Sequence, residues 1–127
     1  MPGARAELSR LLRDIPALVE AESSFGHASA YWMNGKEIAH FETDDVIDVR
    51  LTRSTISAMR TELKADPAVQ LRRSGSDWLS VVLASAAAVE RAAQLVCLAA
   101  QAHAPAPGTT AVPPPAGSEL ARRQRFH

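Results

Sequence analysis

Three residues of the types that carry out acid–base chemistry lie close together in the middle of the chain. His40, Asp48 and Arg50 belong to two neighbouring segments rich in residues that favour strands. An imidazole beside a carboxylate holds its proton more tightly than a free imidazole, because the negative charge favours the imidazolium. A guanidinium offers a planar fork to a carboxylate or an enolate. Together these residues predict a site where a small acidic compound loses a proton and its anion is stabilised.

A predicted hairpin and the strand after it position these residues. The dipeptide Asn34-Gly35 separates two strand-like runs, 28–33 and 36–42. Asn-Gly is the preferred two-residue hairpin turn, because both of its residues take positive φ. A third run, 46–52, alternates cleanly between apolar and polar residues, as a strand with one buried face does. We therefore expect an antiparallel meander of three strands.

Counting residues away from the turns assigns side chains to the two faces of this meander. A regular register places Tyr31 opposite Ile38, and a three-residue connector over 43–45 places His40 opposite Asp48. One face is then a core of seven apolar residues: Ala30, Trp32, Ala39, Phe41, Ile47, Val49 and Leu51. The other face carries Tyr31, His40, Asp48 and Arg50. A shift of one residue in register would exchange the two faces.

Glu37 is the exception in this pattern, because alternation places it on the apolar side next to Trp32. Burial there would raise the pKa of its carboxyl group, as in many catalytic carboxylates. On a strand, Glu37 and His40 point to opposite faces, so their spacing is not the helical metal-binding motif. His40 and Glu42 share a face and His27 lies nearby in the sequence, so an iron site with two histidines and one carboxylate is an alternative. We expect no metal.

A plainer interpretation of the polar face is a solvated sheet surface whose charged groups satisfy one another. The sequence contains neither a nucleophile elbow nor a glycine-rich phosphate loop. Trp78 is expected to anchor the core rather than to stack on a ligand. Cys97 lies in an apolar helical segment, where a cysteine usually acts as a small core residue.

The rest of the chain predicts an α+β fold, with five to six short antiparallel strands packed against two to three helices. Proline and glycine divide the remaining elements: helix 4–14, strand 18–22, helix 54–65, strands 69–72 and 78–82, and helix 85–102. These elements form a single domain over 1–103. The segment 104–127 is rich in proline, alanine and glycine, which favours a disordered tail.

Composition narrows the classes of partner. The 127 residues include 14 Lys plus Arg against 14 Asp plus Glu, and this neutrality disfavours a nucleic-acid binder. One cysteine and no export signal favour the cytoplasm. Glu90 and Arg91 interrupt the long alanine-rich segment, so we expect no membrane span. Low net charge and an apolar C-terminal helix favour a homodimer.

The segment 25–60, followed by Ser-Asp-Trp at 76–78, resembles the luciferase-domain family. The resemblance covers roughly 15–80, leaving the alanine-rich helix and the tail outside. Four short pieces carry it: Gly35, Glu37-Ile38-Ala39-His40-Phe41, Asp48-Val49-Arg50-Leu51 and Asp66-Pro67. The family includes small bacterial proteins and the fungal luciferases, which oxygenate 3-hydroxyhispidin without a well-known organic cofactor. Many relatives carry a second histidine after His40, where this chain has Glu42.

The resemblance implies an oxygenase without a cofactor, or a related acid–base enzyme, acting on a small enolisable or phenolic compound. His40, oriented by Asp48, would remove the acidic proton, and Arg50 would stabilise the enolate. Glu37 would assist catalysis, while the substrate would contact Tyr31, Trp32 and His27. The alternative is a non-catalytic module that binds a small ligand or another protein. A DNA-linked α+β module is a third interpretation, which the missing positive charge disfavours.

Overall fold

A computed structural model describes residues 3–26, 28–73 and 75–126. Six strands form a single sheet in the order β1-β2-β3-β4-β6-β5, and all neighbouring strands are antiparallel. The strands are β1 (Val19–Ala21), β2 (Ala30–Met33), β3 (Lys36–Thr43), β4 (Val46–Arg50), β5 (Val69–Leu71) and β6 (Trp78–Val82). The helices are α1 (Ala4–Leu12), α2 (Arg53–Ala58), α3 (Arg60–Ala65), α4 (Ala86–Ala102) and α5 (Gly117–Arg125). The predicted α+β fold with an antiparallel meander is confirmed, although it has more helices than expected.

Helices α1 and α4 contact each other, and α4 covers one face of the sheet. Helical spacing gives α1 a buried stripe of Ala4, Leu8 and Leu12. The Ser85 hydroxyl starts α4 by accepting a hydrogen bond from the Ala88 backbone N–H at 3.1 Å. Among the described helices, none has both the length and the apolar character needed to cross a membrane.

The strand residues beneath these helices form the hydrophobic core, and five of the predicted members lie in it: Ala39, Phe41, Ile47, Val49 and Leu51. Leu79 and Val81 of β6 extend the same layer through their pairing with β4. Ala30 and Trp32 are buried as predicted, but the register of β2 places them on the opposite face. The core is therefore centred on β3, β4 and β6.

A β-bulge between β2 and β3 explains this difference. Tyr31 pairs with Ala39 and Trp32 with Glu37, so three residues of β3 span two residues of β2. The extra residue inverts the alternation of one strand relative to the other. Tyr31 therefore lies on the helix-covered face, where its hydroxyl donates to Ser9 Oγ at 3.0 Å. The predicted faces of Tyr31 and Trp32 were wrong because a regular register was assumed.

A second bulge, between β3 and β4, preserves the pairing on which the site depends. Thr43 pairs with Val46, so the connector has two residues instead of the expected three. Glu42 is then the extra residue on β3, and it restores the register beyond the turn. As predicted, His40 lies opposite Asp48. The connector is one residue shorter than expected and the bulge adds one residue, so the register between β3 and β4 at His40 is unchanged.

The predicted helix 54–65 is divided into α2 and α3 at Met59, whose φ and ψ are −100° and 8°. The N-cap is Thr52 rather than the expected Ser54. Its side-chain oxygen accepts a hydrogen bond from the Thr55 backbone N–H at 3.2 Å. This cap fixes the start of α2 immediately after β4.

The segment after residue 103 packs on the same body in this structure, whereas a disordered tail was expected. The backbone N–H of Val112 donates to Asn34 Oδ1 at 2.8 Å. Gln124 in α5 donates to the Ser23 carbonyl oxygen at 3.0 Å, and Leu120 is buried. Residues 110–116 form neither helix nor strand, and α5 brings Gln124 to the loop that precedes β2.

Candidate functional site

An imidazole held between two carboxylates forms the centre of the sheet face opposite α1 and α4. His40 Nδ1 lies 2.9 Å from Glu37 Oε2, and its Nε2 lies 3.1 Å from Asp48 Oδ2. These three side chains are at most 6% exposed. The contact between His40 and Asp48 was predicted. The expectation that Glu37 points away from His40 was wrong, because the bulge in β3 turns both residues to the same face.

The loop before β2 supplies further donors to the Glu37 carboxylate. Ser23 Oγ donates to Oε2 at 2.6 Å, while the backbone N–H and the hydroxyl of Ser24 donate to Oε1 at 2.7 and 2.9 Å. Burial alone would raise the pKa of Glu37, but the bonds from His40 and the serines outweigh it and lower this pKa. The sequence-based expectation of a raised pKa was therefore wrong. The Ser23-Ser24 pair was missed because a serine pair in a loop usually indicates only a turn.

Asp48 is held by groups from three strands or their ends. Its Oδ1 accepts a hydrogen bond from Ser80 Oγ at 2.7 Å, and its Oδ2 lies 3.1 Å from Arg72 Nη2. Burial would raise the pKa of Asp48. Hydrogen bonds with His40, Ser80 and Glu42, together with the charge of Arg72, outweigh burial and lower this pKa to about 2. Sequence reasoning missed Arg72, since only the pairing of β5 with β6 brings it to Asp48.

The two carboxylates determine the protonation state of His40. Burial would lower its pKa, but hydrogen bonds to Asp48 and Glu37 and their negative charges raise it to about 9. At neutral pH the ring is therefore an imidazolium that donates from both nitrogens. In this state His40 carries a proton that it can give away, and it has no lone pair with which to accept one.

Two aromatic side chains cover the imidazolium. The Trp78 ring centroid lies 5.0 Å from that of His40 at an interplanar angle of 33°, and the Phe25 centroid lies 5.4 Å away. Phe25 also meets Trp78 edge-on at 5.5 Å. Aromatic faces stabilise a neighbouring cation through their quadrupole. Trp78 is thus half-buried against the site, instead of being the core anchor expected from the sequence.

The other predicted site residues that the structure describes lie on the same face of the sheet as the His40 imidazole or on the opposite face. Arg50 lies opposite Trp78 on the same face, but its guanidinium is recorded 3.8 Å from Asp77 Oδ2 rather than at His40. Trp32 is 1% exposed, and its indole N–H has no hydrogen-bond partner among the described residues. Tyr31 lies on the far side of the sheet. His27 falls outside the described residues.

Comparison with family models assigns the chain to a family. The model of the luciferase domain matches residues 35–99, which is just over half of the chain. The chain belongs to the luciferase-domain family. The match begins at the Asn-Gly turn and runs through most of α4, although we expected the alanine-rich helix to lie outside it. No curated protein and no solved structure matches the chain.

The matched region of this luciferase-domain protein contains Glu37, His40 and Asp48, together with Arg72 and Trp78. The loop that carries the serines and Phe25, and the strand that carries Tyr31 and Trp32, precede it. The charged centre therefore belongs to the family region, whereas part of its cover comes from the preceding segment.

Among the described residues, a trio of side chains has ligand atoms close enough to hold a metal ion. Atoms of His40, Glu42 and Asp48 lie within 4.8 Å of one another. However, His40 is protonated at neutral pH, and Arg72 already neutralises Asp48. A divalent cation would have to displace the proton and compete with the guanidinium. The arrangement suits proton transfer better than metal binding, and the absence of a metal stays a prediction.

Proposed function

We propose that this luciferase-domain protein is an acid–base enzyme of the oxygenase type that acts on a small enolisable or phenolic compound. The observation that carries the proposal is the buried His40 imidazolium between Glu37 and Asp48. A buried ionised triad requires many supporting bonds, and here Ser23, Ser24, Ser80 and Arg72 provide them.

The pKa of His40 matches the chemistry of the proposed substrates. Proton transfer is most effective when the donor and the acceptor have similar pKa values, and a simple phenol such as the tyrosine side chain has a pKa of about 10. With its pKa of about 9, His40 can exchange a proton with a phenolate or an enolate at little free-energy cost. An unperturbed imidazole would be a weaker match.

A ligand would reach this proton through the aromatic cover. Phe25 is 38% exposed and lies on His40, whereas the imidazole itself is 5% exposed. Moving the Phe25 ring aside would open the imidazolium to a planar substrate while leaving Trp78 in place as a wall. Phe25 belongs to the loop after β1, and such connecting segments move more readily than strands.

The oxygenase step needs no added cofactor when the substrate supplies both electrons. The carbon of the enolate forms a bond to one oxygen atom of O2, and the second oxygen atom becomes a peroxide anion. The His40 imidazolium gives its proton to that anion, which yields a hydroperoxide and a neutral imidazole. Deprotonation of the next enol returns the proton to His40.

Oxygen uptake with a panel of hydroxypyrones and phenols, measured over a range of pH, tests this proposal. If His40 is the proton donor, the rate falls as pH rises through about 9. A rate that rises through the same range would contradict proton donation by His40 as the step that limits the rate. His40→Gln should abolish oxygen uptake, whereas His103→Gln, at the residue that caps the C-terminal end of α4, should not. Equal rates for the His40 variant and the wild type would remove His40 from the mechanism.

The occupation of both ring nitrogens of His40 favours a second candidate, a module that binds a small ligand without converting it. In that case the triad only holds the strands and Trp78 in position. Panel compounds that bind with defined stoichiometry and return unchanged, with no oxygen uptake, would support this candidate. Self-association stays a prediction, which light scattering across a concentration series tests.

A further inference from the structure

A cleft of about 670 Å³ lies beside the charged triad, between the α2–α3 region and the loop that joins β5 to β6. Trp78 forms part of its wall, so one indole contacts both the cleft and the His40 ring. Four arginines line the cleft: Arg53, Arg60, Arg72 and Arg73. Two chain segments, one before β5 and one after it, thus bring four arginines to a single concave surface.

These positive charges are only partly balanced by the described residues. The cleft contains a single carboxylate among them, that of Asp77, which accepts the Arg53 backbone N–H at 2.8 Å and lies 3.8 Å from Arg50. The charge of Arg72 is balanced by the buried Asp48 at 3.1 Å.

Three side chains, those of Arg53, Arg60 and Arg73, have no ion pair within the described parts of the chain. Arginines elsewhere, such as Arg10 and Arg123, do have carboxylate partners there. A neutral protein with uncompensated like charges in one cleft attracts anions to that cleft.

The remaining polar groups of the cleft suit a tetrahedral dianion. Ser54 and Ser57 add two hydroxyl groups from the exposed side of α2. Guanidinium forks and hydroxyl donors are the side chains that typically bind phosphate oxygens. A carboxylate carries one charge and two acceptor oxygens, so it uses fewer of these donors than a phosphate group does.

We propose that this arginine cleft binds the phosphate group of a small phosphorylated compound, with the organic part of that compound against Trp78. The inference goes beyond the proposed function, because it holds whether or not His40 transfers a proton. It rests on the convergence of Arg53, Arg60 and Arg73 with the exposed serines. No glycine-rich phosphate loop is involved, which explains why sequence motifs gave no sign of the site.

Isothermal titration calorimetry with inorganic phosphate, phenyl phosphate and sodium acetate at matched ionic strength tests the proposal. We expect measurable binding of both phosphates, tighter for phenyl phosphate because of Trp78, and none for acetate. Acetate that binds as tightly as inorganic phosphate would overturn the assignment. So would a short single-stranded oligonucleotide that binds more tightly than phenyl phosphate, since the partner would then be a nucleic acid.

Matched arginine variants locate the binding. Arg60→Gln should weaken the binding of phenyl phosphate by about tenfold or more, which is the loss of affinity expected for a charge-assisted hydrogen bond. Arg123→Gln, on α5 and away from the cleft, should leave the affinity unchanged. Arg73→Gln repeats the test if Arg60→Gln does not fold. Wild-type affinity in folded Arg60 and Arg73 variants would refute the cleft as the site.

Discussion

The two faces of the sheet are buried in different ways. Beneath α1 and α4 the strands present apolar side chains, and the hydroxyl of Tyr31 is satisfied by Ser9. The other face of the same strands buries Glu37, His40 and Asp48. Alternation along β3 and β4 places these two environments one residue apart.

The two kinds of burial differ in how their stability depends on pH. Apolar burial depends on contact area and packing, so it is insensitive to pH. Buried charges are tolerated only while each has its partner, because an unpaired charge in the interior is very unfavourable. The helix-covered face therefore provides stability at every pH, whereas the charged face is stable only within a range of pH.

Removing the shared partner of both carboxylates should have the largest effect. His40→Ala leaves Glu37 and Asp48 buried without the cation between them, and should lower the free energy of unfolding by about 3–5 kcal/mol near neutral pH. Urea unfolding followed by circular dichroism measures this. His103→Ala, which removes a histidine from the end of α4, is the matched control. Equal losses of stability in the two variants would show that His40 does not stabilise the buried carboxylates.

A cavity on the apolar face should lower the free energy of unfolding about as much as His40→Ala does. The two losses should depend differently on pH. Leu79 is fully buried between β4 and β5, and Leu79→Ala should lower stability by about 2–5 kcal/mol. We expect this loss to be the same at mildly acidic and at alkaline pH. The loss in His40→Ala should shrink above the pKa of His40. Losses with the same pH dependence in both variants would argue against two distinct faces.

The wild-type protein should lose stability at both ends of the pH range. The folded pKa of His40 is raised from 6.5 to about 9, so its contribution is complete below 6.5 and is lost as pH rises toward 9. That loss is roughly 3 kcal/mol. Asp48, whose pKa is lowered from 3.8 to about 2, contributes above 3.8 and ceases to do so as pH falls toward 2. Urea midpoints that stay constant from neutral pH to about 9 would contradict this expectation.

Removal of the Arg72 charge should have the smallest effect on stability, because this side chain is 42% exposed and water screens its charge. We expect Arg72→Gln to destabilise by about 1 kcal/mol or less. The pKa of Asp48 should also rise, since the positive charge near its carboxylate is lost, and acid unfolding should begin at a higher pH. Arg123→Gln serves as the control, and an identical acid midpoint in both variants would exclude the contact.

Local patterns were sufficient to predict most of the fold. Asn34-Gly35, the alternation over 46–52 and the apolar spacing of the last helix each identified an element close to its observed bounds. The bulges were not predictable in this way, since no residue near Ile38 or Glu42 distinguishes a bulged strand from a regular one. They depend on how both strands pack.

Sequence patterns predicted only those contacts of the site that join strands adjacent in the sequence. His40 and Asp48 are joined by a short connection, and counting residues brought them together. Arg72 and Trp78 reach the site through the pairing of β6 with β4 and β5, which no local pattern specifies. The serines that bind Glu37 come from the loop between β1 and β2, and the first bulge turns Glu37 to the face on which it meets them.

NMR titration of the ring nitrogens and carbon-bound protons of His40 measures its protonation state. We expect a pKa of about 9 for His40, with both ring nitrogens protonated at neutral pH. Glu37→Gln should lower this value by removing one of the two charges that stabilise the cation. A pKa of His40 at or below 6.5 in the wild type would show that the two carboxylates do not hold a buried imidazolium.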